Sequence, residues 1–241
     1  MSGRYAITLS PQAARAFYGY VEEEDFPPRY NIAPTQPVPI VRLERDRDGE
    51  LRRHFRLVRW GFIPGWAKEP RQLPLIVNAR LESLSVKPSF RAAMMRRRCL
   101  FVADGFYEWQ APVGGKGRGP GRPFLVRRSD RRALGLAGLW EPWLGADGSE
   151  IETACIITTA ADGTLAAIGE RMPALIGEGD FEAWLDVDHV DPLQASTLAA
   201  RCEPGELELV EIGPAINRAA NDGPELQLPV TAPTKRREPD R

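Results

Sequence analysis

Residues 99–110, CLFVADGFYEWQ, decide how the chain is read. Cys99 to Ala103 and Phe106 to Gln110 are apolar and aromatic runs on either side of Asp104-Gly105, a dipeptide that punctuates strands. The stretch predicts two strands around a turn, and the same grammar recurs outward in both directions. Upstream, Val38 to Leu43 and Arg52 to Trp60 read as a hairpin across the polar turn Arg45 to Gly49. Arg4 to Leu9 alternates as a strand, and Ser10-Pro11 is an N-cap followed by proline at the first helical position, which predicts a helix through Tyr18. Leu75 to Ala79 is a short apolar run expected as buried strand. Pro88 to Arg98 reads as a helix whose last turn carries Arg96, Arg97 and Arg98 at the negative end of the helix dipole. Downstream, Pro123 to Arg128, Leu134 to Trp143, Thr153 to Ala160 and Glu206 to Ile212 continue the strands. Phe181 to Leu185 and Leu193 to Arg201 look helical. The composition of Ala111 to Arg122 is that of a flexible loop, and the Pro- and charge-rich end (231–241) that of a disordered tail. The expectation is one α+β domain over residues 2–230 with largely antiparallel sheets.

The 241 residues carry 32 Lys and Arg against 33 Asp and Glu, and the near-neutral total hides an asymmetry. Residues 1–132 hold 25 basic and 13 acidic side chains, residues 133–241 hold 7 and 20. Of the basic residues 28 are Arg, whose planar fork grips phosphate in a bidentate manner, so the first half is a candidate nucleic-acid surface. The alternative is that the two halves neutralise each other in the fold. No apolar run approaches the ~18 residues of a membrane span, and the first residues do not open a signal peptide. Three cysteines without CxxC spacing, and two histidines in no ligand motif, indicate neither a disulfide framework nor a metal site. A cytoplasmic protein is the expectation.

Four segments hold polar residues that a plain β-core does not call for. The first is Ser2 to Tyr5, where a terminus running into a strand either positions its amine or is simply an edge strand. The second is the turn Arg29 to Thr35. The third is Arg59 to Trp66, followed by Val77-Asn78-Ala79-Arg80. Aromatics interleaved with Arg suit single-stranded nucleic acid, which needs faces for bases and cations for phosphates; taken singly, Trp60 and Phe62 read better as core. The fourth is Asp104 to Trp109, where Glu108 is either a solvent-facing strand residue or a semi-buried acid able to move protons near neutrality. Asn78 would be a hydrogen-bonding partner for a carbonyl oxygen.

Taken in order, these segments resemble the SRAP family (SOS response-associated peptidases, the abasic-site processing proteins). The family pattern opens Met-Cys-Gly-Arg, continues with RYNIAPTQ, WG-x-x-P-x-W, NAR, KPSFR and ADGFYEW, and closes with I-H-x-R-M-P. Here the matches are Ser2 to Tyr5, Arg29 to Gln36, Trp60 to Trp66, Asn78 to Arg80, Lys87 to Arg91, Ala103 to Trp109 and Ile168 to Pro173. The resemblance implies a barrel-like core with short peripheral helices. It also implies recognition of abasic sites in single-stranded DNA by a monomer without cofactor or metal, at the nucleoid when bound. In the family the amine and thiol of Cys at position 2, exposed by loss of Met1, condense with the sugar aldehyde to a thiazolidine. The matching catalytic positions are Ser2, Asn78, Glu108 and Gly169; Arg4, Asn31, Pro34, Trp66 and Arg80 match positions that shape the DNA cleft.

Two departures fall on the chemistry: Ser2 stands where the family has Cys, and Gly169 where it has His. A thiol with pKa near ~8.5 is partly ionised around neutrality and a serine hydroxyl is not, so the durable crosslink loses its nucleophile. The α-amine, with pKa roughly 7.7–8.0, still supports an imine, and β-elimination from it with Glu108 as acid–base. Three functions follow: weakened covalent processing of abasic sites, a pseudoenzyme that binds damaged or single-stranded DNA without chemistry, and a peptidase acting on other proteins. The last has no Ser-His or Cys-His pair among the motifs.

Overall fold

The computed structural model describes residues 3–112, 121–199 and 207–230. Ser2, the tail 231–241 and most of the expected loop 111–122 lie outside the described residues.

In chain order the strands and helices are β1 (Tyr5–Ile7), α1 (Pro11–Tyr18), β2 (Arg29–Ile32), β3 (Pro37–Arg45), β4 (Leu51–Trp60), β5 (Asn78–Arg80), α2 (Pro88–Arg96), β6 (Arg98–Ala103), β7 (Gly105–Gln110) and β8 (Arg122–Arg128). There follow β9 (Leu134–Leu144), β10 (Glu150–Ala160), β11 (Arg171–Pro173), β12 (Leu175–Ile176), α3 (Phe181–Leu185), α4 (Pro192–Ala199) and β13 (Leu207–Glu211). Strands β10, β4, β3, β6 and β9 pair in that order, and β9 pairs back onto β10, so five strands close a barrel. All these pairings are antiparallel except β4 with β10. Successive residues of a strand face opposite sides. Leu100, Phe101 and Val102 of β6 are nonetheless all fully buried, so the barrel is covered outside as well as filled inside.

The cover is a second, antiparallel sheet in the order β13-β8-β7-β1-β2. Its faces separate cleanly. Tyr5, Ile7, Ile32, Phe106 and Val126 join the main core, Tyr5 meeting Trp60 and Phe101 edge-on at 5.2 and 6.2 Å. Ala6, Tyr107 and Leu125 face the other way and are capped by Ile212, Ile216 and Leu226. β1 lies between β2 and β7, so the N-terminal strand is central rather than an edge.

The local rules hold where the residues are decisive. Ser10 Oγ accepts the Ala13 N–H at 3.2 Å and Gly19 ends α1 in the left-handed conformation, φ 69°. Tyr18 then sits fully buried, its hydroxyl donating to Leu134 O at 2.6 Å and accepting from Ala103 N at 2.9 Å.

Two expectations need correction. The run Leu75 to Ala79 is not one buried strand. Leu75 is half exposed, Pro74 brings no N–H to a ladder, and regular pairing begins only at Asn78 beside β10. Nor do three arginines complete the last turn of α2. Only Arg96 does; Arg97 turns to Glu141 at 2.8 Å, and Arg98 opens β6. Arg98 is buried and donates to the carbonyls of Trp184, Met94, Asp186 and Val190 at 2.6 to 3.0 Å, fastening α3 to the barrel. Burial pulls its pKa down to about 10, outweighing the opposing pull of the Asp186 and Asp191 carboxylates.

The charge asymmetry is partly absorbed in the fold. Arg42 with Glu152, Arg97 with Glu141, Arg127 with Glu208, and Arg132 with Glu178 all join the basic half to the acidic one. No helix among the described residues is long and apolar enough to cross a membrane.

Candidate functional site

β7 presents Glu108 on its barrel-facing side, the side of Phe106, and the carboxyl is 3% exposed. It is therefore the buried alternative of the two that the sequence left open. Across from it runs the turn after Ile168. A Cβ on Gly169 would lie 3.8 Å from Glu108 Oε2 and 3.6 Å from Arg171 O, ordinary contacts, and the backbone there is not left-handed. The fold thus brings Glu108 and position 169 together and leaves room between them.

Arg171 ties the turn after Ile168 to β10. Its guanidinium donates to Thr158 O and to Thr158 Oγ1 (3.3 Å) and pairs with Glu82 at 2.7 Å. Thr158 lies beside Arg80 on one edge of β10 and beside Pro173 on the other. A cavity of about 550 Å³ opens here, lined by Asn78, Arg80, Lys87, Ser89, Phe90 and Thr158 among others. Trp60, fully buried, holds the approach: its Nε1 donates to Val77 O at 2.9 Å while its ring meets Tyr5 of the N-terminal strand. Trp60 and Phe62 are core, as their single-residue reading predicts.

Pro74 and Leu75 separate this cavity from a second of about 400 Å³, lined by Thr35, Arg59, Phe62, Pro64, Arg71 and Leu73 among others. Neither lining contains an acidic side chain, and Arg59, Arg71, Arg80 and Lys87 make no ion pair among the described residues. The rim is rigid. Phe62 N bonds Ile76 O at 2.8 Å, Ile63 N bonds Thr153 Oγ1 at 3.0 Å, and Trp143 Nε1 bonds Ala67 O at 2.6 Å. On that frame Trp66 stands 59% exposed. Gly61, in the wall of the second cavity, is at φ 141°, a conformation that side chains rarely adopt and that calls for glycine. Thr35, beside the half-buried Pro34, is held at φ 75° with its N–H on Trp60 O at 2.7 Å. A β-branched residue in that region is strained, and such strain concentrates at ligand sites.

Arg4 and Asn31 lie elsewhere than in the cavity walls. Arg4 Nη1 donates to Asn31 Oδ1 at 2.7 Å, and Asn31 is buried under residues 216–222. Ser2 lies outside the described residues. Sequence reasoning missed Thr158, which no motif marks out, and did not single out Thr35 or Lys87, whose only signals are their places in the RYNIAPTQ and KPSFR stretches. His54 is buried between Glu22 (2.7 Å) and Asp46 (3.0 Å), and His189 is exposed on Asp186; neither lines the cavities. Among the described residues no cluster of three His, Cys, Asp or Glu is disposed to hold a metal ion.

A closed five-stranded barrel clad by an antiparallel sheet is a fold with solved members. A protein from Bacteroides thetaiotaomicron superposes with a TM-score of 0.77 at 21% identity, covering 95% of this chain and 99% of the other. One from Bordetella bronchiseptica gives 0.72 at 22%, covering 88% and 100%. The sequence carries the assignment further. The family model for the SOS response associated peptidase (SRAP) matches residues 1–219, and the chain belongs to that family. The abasic site processing protein YoqW of Bacillus subtilis is 33% identical over 207 residues, 86% of this chain and 88% of that protein. The abasic site processing protein HMCES of Gallus gallus is 29% identical over 270 residues, 95% and 78% respectively.

Proposed function

We propose that this protein processes abasic sites in single-stranded DNA, acting as a monomer in the cytoplasm and reacting through the α-amine of Ser2 once Met1 is removed. The observation that carries the reading is a buried carboxylate, Glu108, facing position 169, two residues before Arg171, whose guanidinium donates to Thr158 in the wall of a cavity that Asn78, Arg80 and Lys87 also line. Cations that make no ion pair among the described residues suit a phosphodiester backbone. The exposed Trp66 and the neighbouring apolar cavity offer surface for unpaired bases.

The chemistry follows from the groups present. An abasic deoxyribose must open from hemiacetal to aldehyde, which moves a proton from the anomeric hydroxyl to the ring oxygen. Glu108 is the acid–base for that transfer, and the Asn78 amide is a hydrogen-bond donor for the aldehyde oxygen. The amine then adds to the carbonyl carbon, the carbonyl oxygen leaves as water, and an imine remains. Without a thiol the imine has no sulfur to close a stable ring, and Gly169 supplies no imidazole. The adduct is accordingly reversible, and β-elimination from the imine would cut the strand on the 3′ side.

The missing thiol and imidazole also favour a second reading, in which the site binds damaged DNA without reacting. Borohydride separates the two, because it adds hydride to the imine carbon and makes the adduct permanent. Protein with an N-terminus checked by intact mass is incubated with a single-stranded oligonucleotide bearing one abasic site. An adduct that appears only with borohydride is the expected result. Binding with no adduct under either condition would leave the non-covalent reading.

A further inference from the structure

We propose that Arg4 and Asn31 are positioning residues: they clasp residues 214–222 and thereby fix the N-terminal amine, instead of gripping DNA. The proposal rests on the reading that this amine reacts.

Asn31 has spent its amide hydrogens, and Arg4 turns both terminal nitrogens of its fork onto Asn31 and the backbone of residues 216–217. Asn31, 2% exposed, accepts from Arg4 at Oδ1 and directs Nδ2 toward the carbonyls of Ile216 (3.2 Å), Arg218 (3.0 Å) and Asn221 (2.9 Å). Two amide hydrogens shared among three carbonyls leave no donor for a base or phosphate. Arg4 Nη1 reaches Ile216 O at 3.0 Å as well as Asn31, and Nη2 reaches Asn217 O at 3.4 Å. Its fork thus lies along fixed backbone acceptors. The clasp closes from the other side too. Asp222 Oδ1 accepts the N–H groups of Tyr30 and Asn31, and Asn217 Oδ1 accepts Trp109 Nε1 at 2.7 Å.

The consequence for the terminus is covalent geometry. Arg4 is held by its side chain in the clasp and by its carbonyl, which accepts Tyr107 N at 3.0 Å. Consecutive Cα atoms are about 3.8 Å apart, so holding Arg4 limits the reach of any group two residues ahead of it to roughly 8 Å. Tyr107, the residue gripping Arg4, immediately precedes Glu108, so the anchor and the proton-transfer group share one strand. A reactive amine held near its target gains effective concentration, which a loose terminus loses.

Asn31→Ala and Arg4→Lys in the full chain test this; the second keeps the charge and most of the bulk, should the first fail to fold. Hydrogen exchange at the Tyr107 amide is expected to quicken about tenfold or more in both, and unchanged exchange would overturn the clasp. The borohydride trapping rate on abasic single-stranded DNA is expected to fall about tenfold or more. Affinity for the same oligonucleotide carrying tetrahydrofuran, which has no aldehyde, should stay within about threefold, with an unchanged salt slope. Parallel loss of trapping and affinity with a shallower slope would make these residues DNA contacts and overturn the proposal. Trapping as fast as wild type would overturn it with the abasic reading intact. Wild type that never traps, with exchange still quickened by the variants, would sink the abasic reading and leave the clasp standing.

Discussion

The two faces of β7 are buried for opposite reasons. On the face turned from the barrel, Tyr107 donates its hydroxyl to Tyr30 O and accepts from Gln227, while Trp109 bonds Asn217, all under the closing segment of the chain. Both side chains are answered by other groups of the fold, as structural burial requires. On the barrel face, one residue away, Glu108 is buried beside Gly169, which brings no side chain to it. A carboxyl next to unfilled room, with cation-lined cavities beyond, is arranged for a ligand. Burial alone does not separate structure from function; what stands beside the buried group does.

Substitutions on the two faces should therefore part company. Glu108→Gln removes the proton carrier while keeping shape, and the borohydride trapping rate should drop about 100-fold or more, the usual scale for general acid–base groups. A rate within threefold of wild type would erase the distinction between the faces. Gly169→His combined with Ser2→Cys fills the room and restores the thiol. The adduct should then survive gel electrophoresis without borohydride, with stability within about 1 kcal/mol of wild type, because the new Cβ meets only ordinary contacts. Tyr107→Phe, on the other face, should cost about 1–2 kcal/mol in urea unfolding and leave trapping within twofold.

The smallest effect is one of pH. Asp104 opens the link into β7, and burial raises its pKa although Thr8 donates to it from backbone (2.8 Å) and hydroxyl. A carboxyl whose folded pKa exceeds its unfolded value destabilises the fold at neutral pH, and that penalty is relieved as pH falls toward the raised value. Wild type should gain up to about 1 kcal/mol relative to Asp104→Asn on going from pH 7 to pH 5 in urea midpoints. A flat difference between them would mean that Asp104 is not held in the way its burial implies.

Much of this was legible in the sequence, and unevenly so. Ser10-Pro11, the turns at Gly49 and Asp104, and the strand pairs around them reported themselves, because each is decided by neighbours within a few residues. The runs at Leu75 and Arg96 to Arg98 misled, because their fates depend on distant partners: Glu141 for Arg97 and the carbonyls around Trp184 for Arg98. The site divided in the same way. Asn78 and Glu108 stood out as polar residues in apolar strands. Thr158 did not, since nothing in its own surroundings separates a cavity wall from any other threonine, and Thr35 was visible only as the end of the turn Arg29 to Thr35. The place of Arg4 in a clasp was also invisible, because its partners lie more than 200 residues downstream.

The central position of β1 has a consequence for how the protein is made. Its partner β7 emerges from the ribosome about 100 residues later, which at ~5–20 residues per second is a wait of roughly 5–20 s. Throughout that interval the first residues cannot be enclosed in their sheet, so enzymes that trim new chains have an open end on which to work. Once β7 has paired, the strand that starts at Tyr5 is flanked on both sides. An affinity tag for this protein belongs at the other end.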